Sequence, residues 1–242
     1  MGFPFWGERR VNTWSVQSAS TLFRAIPSRL KWPAVGAVWA ISTAVAAAGE
    51  IQGSLVLESP GTPAGVWIEG LESQEVPRQD TVITHRDGRF YPYLSLGFVG
   101  NEFVLTNEDD RLHNTHLYLR LAYQKERSAR PLHFGSTVFN IALPNQGAEV
   151  RRPIRSGDRY RAETGFIEVG CNPHPDEQAY VLVFDHPYAA MVGDDGTFSI
   201  ANVPAGTHQL QIWADGAVQP GPTIEVSEDG VATVVVNLAS GA

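Results

Sequence analysis

Cysteine is nearly missing from this sequence: Cys171 is the one thiol in 242 residues, so no disulfide can form within the chain. In an oxidising compartment a lone thiol is tolerated when it is buried or when it holds a metal. Methionine is as scarce, with only Met1 and Met191. There is no Gly-rich phosphate loop and no zincin helix motif. No basic aromatic patch suits nucleic acid. The net charge of −8 argues against nucleic acid and against an anionic membrane surface as partner. Beyond residue 48 no helical period of useful length occurs. The longest apolar run, Trp32–Ala48, is shorter than the roughly 20 residues of a membrane span.

What is there begins with a leader. Residues 1–48 carry Arg9, Arg10, Arg24, Arg29 and Lys31 against Glu8 alone, so the rest of the chain is strongly acidic. The apolar run after Lys31 closes on Ala46-Ala47-Ala48, the small-residue pattern that signal peptidase needs. Arg9-Arg10 sits in surroundings that fit twin-arginine export poorly. The expectation is a signal peptide over 1–48 and a mature body in the periplasm. An uncleaved leader would tie that body to the membrane instead.

From residue 49 the chain is a series of short apolar or alternating runs. They include Ile51–Leu57, Gly65–Glu69, Arg89–Leu96, Glu102–Thr106, Phe166–Val169, Tyr180–Phe184, Thr197–Ile200, His208–Trp213 and Val231–Leu238. Breaks such as Asp87-Gly88, Asp195-Gly196, Pro204-Ala205-Gly206 and Asp229-Gly230 have turn chemistry. Closely spaced strands of this kind predict an all-β protein built as β-sandwiches.

The candidate chemistry lies in residues 49–190. In Gly170–Pro175 (GCNPHP) a thiol and an imidazole stand three residues apart on a tight loop. Pro173 and Pro175 restrict the backbone on both sides of His174. A thiolate with imidazole suits copper, zinc or iron. His113, in NEDDRLHNTHL, follows a strand and a polar turn, and it could meet that loop only through the fold. His116 lies an odd number of residues from His113, on the opposite face of a regular strand, so it is a metal candidate only if a bulge intervenes. His85, His133 and His186 have ordinary structural readings, and the run Glu108-Asp109-Asp110 reads as a solvated loop.

These residues resemble a known family. Cys-Asn-Pro-His-Pro at 171–175 is similar to the short ligand loop of the cupredoxins, in its amicyanin-like form. HNTH at 113–116, TVFNIALP at 137–144 and FDHPYAAMVGDDGTFSIANVPAG at 184–206 resemble exported plastocyanin-like proteins labelled methylamine-utilisation proteins. Members join a Greek-key cupredoxin sandwich to a small transthyretin-like, carboxypeptidase-regulatory-like sandwich. The resemblance covers most of 49–215. It implies a copper domain over 49–190 and a regulatory-like module over 191–242, which an N-terminal strand near 50–70 could complete.

By the same resemblance His113, Cys171 and His174 match copper ligands, and Asn114 matches the asparagine that hydrogen-bonds the ligand loop. The family's axial Met falls where this chain has Glu177, so a carboxylate (or, next to it, Gln178) replaces the thioether. A hard oxygen there favours Cu(II). The expected function is one-electron transfer by a mononuclear copper protein with a partner protein, not an enzyme and with no small-molecule substrate. Copper delivery without redox traffic, or a metal-free interaction module, are the alternatives.

Overall fold

The computed structural model describes residues 48–72, 74–121, 137–155 and 165–238. The proposed leader, apart from Ala48, and His133 lie outside the described residues. All described residues belong to one compact unit, Ala44–Ala242.

Sixteen strands follow one another in the described residues, with no helix among them. The chain opens with β1 (Ala48–Val56) and β2 (Ala64–Ile68). Next come β3 (Thr81–Arg86), β4 (Arg89–Tyr91), β5 (Leu94–Phe98), β6 (Glu102–Asn107), β7 (His113–Leu121) and β8 (Thr137–Leu143). They are followed by β9 (Glu149–Pro153), β10 (Gly165–Gly170) and β11 (Gln178–Phe184). The chain finishes with β12 (Ala189–Met191), β13 (Thr197–Pro204), β14 (Gly206–Ala214), β15 (Ala217–Val226) and β16 (Val231–Asn237). The all-β sandwich expected from the strand spacing is what forms.

The strands make four sheets, each with a covered face. The central stretch folds into β5-β11-β10-β7-β8 and β4-β3-β6-β9. These share a core that includes Ile83, Phe103, Leu105, Leu117, Ile167 and Val181. The two ends of the chain build β13-β1-β16 and β12-β2-β14-β15, around Ile51, Ile68, Ile200 and Ile212 among others. Strand β1 therefore pairs with β13 on one side and β16 on the other, Ile51 lying opposite both Ile200 and Ala232. A third cluster joins Trp67 and Trp213 to Leu94, Phe166, Tyr180 and Phe184. It covers the outer face of the five-stranded sheet, which is why β11 is buried on both faces from Ala179 to Phe184.

Two local features aim the site. Asp87 and Gly88, both at positive φ (53° and 71°), make the tight turn between β3 and β4. In β7, strand alternation sends His113, Thr115 and Leu117 inward to 0% exposure. Asn114, His116 and Tyr118 take the opposite face.

Candidate metal centre

Three pieces of chain converge at one end of the central sandwich: the end of β3, the start of β7 and the loop from β10 to β11. The loop is two successive turns, in which His174 N–H donates to the Cys171 carbonyl (3.2 Å) and Glu177 N–H to the His174 carbonyl (3.0 Å). Each turn advances the chain three residues, so Cys171, His174 and Glu177 are presented to the same side.

Cys171 Sγ lies 3.6 Å from His113 Nδ1 and 3.4 Å from His174 Nδ1. Glu177 Oε2 is 3.1 Å from His113 Nδ1, and its Oε1 is 3.5 Å from His174 Nδ1. Ligand atoms bound to one ion at metal–nitrogen and metal–sulfur lengths of about 2.0 and 2.3 Å stand roughly 3–4 Å apart. These four distances therefore match the spacing of ligand atoms around a shared ion. The loop and β7 bring His113, Cys171, His174 and Glu177 together.

His85 stands beside three of them, although its sequence context suggested nothing beyond structure. Ligand atoms of His85, His113, Cys171 and Glu177 all lie within 4.8 Å of one another, and all four residues are buried. The signal was present in β3: in TVITH the histidine falls on the inward position of an alternating strand. Burial, reinforced by the neighbouring His113, lowers its pKa to about 3, so His85 is a neutral imidazole.

The Cys171 thiol is pushed up from its ordinary value, first by burial and then by the Glu177 carboxylate, against hydrogen bonds at Asn114 and His174. A thiol held this way becomes a thiolate when a cation is beside it. The set of one thiolate, imidazoles and one carboxylate suits copper, zinc or iron.

Surrounding groups fix the ligands. His113 Nε2 is 3.0 Å from Asp109 Oδ2, and Asp109 accepts from the backbone N–H of Asp87 (2.7 Å) and Gly88 (3.0 Å). This carboxylate–imidazole pairing leaves Nδ1 free for a metal. Burial works against the Asp109 anion, but the Gly88 and Asp87 amides and His113 outweigh it and hold the carboxyl below its ordinary value. Asp109 is thus not part of a solvated acidic loop: the turn amides claim it. Asn114 Oδ1 accepts from Asn172 N–H at 2.7 Å and lies 3.8 Å from Cys171 Sγ. It ties β7 to the loop residue that follows the cysteine.

Other candidates fall away from the cluster. His116 Nδ1 is 3.0 Å from Asn172 Oδ1 and Nε2 is 2.9 Å from Thr137 Oγ1, on the outer face. The register of β7 is regular from His113 to Leu117, so no bulge turns His116 inward. Gln178 is exposed at the start of β11. Met191 is on β12, in the other pair of sheets, and 38% exposed. His186 is buried in the bend before β12, where its Nδ1 accepts from Tyr188 N–H (3.2 Å).

Comparison with known proteins adds the following. A family model for polysaccharide lyase family 4, domain II matches residues 178–234, from β11 into β16. No curated protein sequence matches the chain. Solved structures of amicyanin variants are similar to it at low identity. A Cu(I) form shows 15% identity and a TM-score of 0.31, covering 49% of this chain and 98% of its own. An oxidised variant gives 16% and 0.31 over the same shares. Likeness at this level assigns no role to any residue here.

Proposed function

We propose that this chain is an exported cupredoxin-type copper protein, fused to a regulatory-like β module, that carries single electrons between partner proteins in the periplasm. Copper, moving between its two oxidation states, would supply the redox chemistry. His113, Cys171 and His174 would hold it, and Glu177 would be the fourth ligand. The observation that carries this reading is the convergence of Cys171 Sγ on two imidazole Nδ1 atoms at 3.6 and 3.4 Å. A buried thiol three residues from a proline-flanked histidine has no packing reason to meet a second histidine from another strand.

The surroundings support electron carriage over catalysis. His85, His113, Cys171 and Glu177 are all closed to solvent. The His174 side chain retains 26% exposure, so its ring edge is the conducting contact for a partner. Ligands pinned by Asp109 and Asn114 rearrange little when the metal's charge changes, which keeps transfer fast. Copper delivery would require ligands that release the metal readily; His116, which would have offered a further ligand, is engaged elsewhere.

The test is the visible spectrum of the mature chain with one equivalent of Cu(II), repeated for Cys171→Ser. An intense thiolate band that is lost in the variant supports the reading. Absence of the band, with no copper retained after desalting, removes it.

A further inference from the structure

We propose that His85 is a positioning residue for the metal: it holds the Glu177 carboxylate as a weakened ligand and so would set the metal's electronic character without binding it. This rests on the ligand set proposed above. His85 comes from β3, in the sheet facing the one that carries the ligands. Its Nδ1 is 3.0 Å from Glu177 Oε2, and its Nε2 is 3.2 Å from Thr115 Oγ1. A carboxylate only accepts hydrogen bonds, so Nδ1, 3.0 Å from it, carries a proton and donates. On its other side Nε2 pairs with the buried Thr115 hydroxyl. Both ring nitrogens are thereby satisfied without a metal bond.

The ring cannot turn away. It lies between His113 and Phe90, with centroids 4.2 Å from each. Arg111 Nη2 takes the other oxygen of Glu177, Oε1, at 3.2 Å. Each carboxylate oxygen therefore has an N–H donor that competes with the metal for its charge. An oxygen that shares its electron density with such a donor is a weaker ligand than a free one. Removing His85 frees Oε2 to bind the metal more strongly. Stronger carboxylate binding would favour the oxidised metal.

The experiment uses the copper-loaded mature chain and measures the visible spectrum, the electron paramagnetic resonance spectrum and the reduction potential. The variants are His85→Phe, His85→Asn, Glu177→Met and the double variant His85→Phe/Glu177→Met. In His85→Phe the potential falls and the short-wavelength thiolate band gains on the long-wavelength one. His85→Asn places an amide N–H where Nδ1 was, so both readouts return toward wild type. In the Glu177→Met background, His85→Phe has lost the group it acts through, and its shifts shrink to a small remainder. Equal shifts in both backgrounds, or no shift in either, overturn the proposal. If His85→Phe fails to fold, His85→Asn with a spectrum far from wild type overturns it as well. A wild-type protein without a thiolate band fails the ligand reading, and this one with it.

Discussion

Asn114 couples β7 to the Cys171 loop. Its side chain accepts from the Asn172 amide, faces the thiol and donates to Asn140 Oδ1 at 2.6 Å. Asn114→Ala leaves that amide without its partner, and we expect a loss of about 1–3 kcal/mol in urea unfolding of the copper-free protein. A broadened thiolate band should accompany it. His85 makes the copper-free protein acid-sensitive. Its folded-state pKa of about 3 lies below the ordinary 6.5, so the unfolded chain takes up a proton that the native state refuses. Stability from this group is complete above pH 6.5 and is lost as the pH falls toward 3. The decline is at most about 1.4 kcal/mol per pH unit. Asp109 contributes in the same direction at lower pH. Urea midpoints at neutral pH and in mild acid should separate in wild type and draw together in His85→Asn. At this scale turn chemistry and spacing drew attention to Cys171 and His174, and the resemblance to the cupredoxin motif drew it to His113. The sequence hid His85 and Asp109, whose roles exist only once the β3–β4 turn meets the loop.

Among the elements, the alternating and apolar runs were the legible ones. Ile51–Leu57, Glu102–Thr106, Tyr180–Phe184 and Val231–Leu238 correspond to β1, β6, β11 and β16. The run Arg89–Leu96 is instead divided: Pro92 has no N–H to give a ladder, and β4 and β5 on its two sides enter different sheets. β7 left little pattern, because Asn114 and His116 serve a polar network on one face while His113 and Thr115 turn toward the site on the other. Strand β1 has one position of special demand. A Cβ on Gly53 would collide with the Phe198 ring and stand 2.8 Å from Val234 Cγ1, so the ring fills the space that a side chain would need. Gly53→Val should cost about 1–3 kcal/mol through overpacking. Chemical denaturation checks this, and the copper spectrum should stay unchanged, since β1 belongs to the other pair of sheets.

At the scale of the whole molecule, the order of strands in space departs most from their order in the chain. Local pattern can show that β1 and β16 are strands, but not that they are neighbours. Their partnership depends on Ile51 facing a core assembled from both ends of the chain. The arrangement has a kinetic meaning. The central stretch β3–β11 makes its strand pairings within itself, whereas β1 must wait for β13 and β16, and closing so long a loop is slow. Pulse-labelled hydrogen exchange during refolding should therefore find amides of β10 and β11 protected before those of β1; simultaneous protection would contradict this order. A chain of this design finishes the chamber around His113 and Cys171 while its first strand is still searching for a partner, so the last thing to mature is the scaffold at the other end.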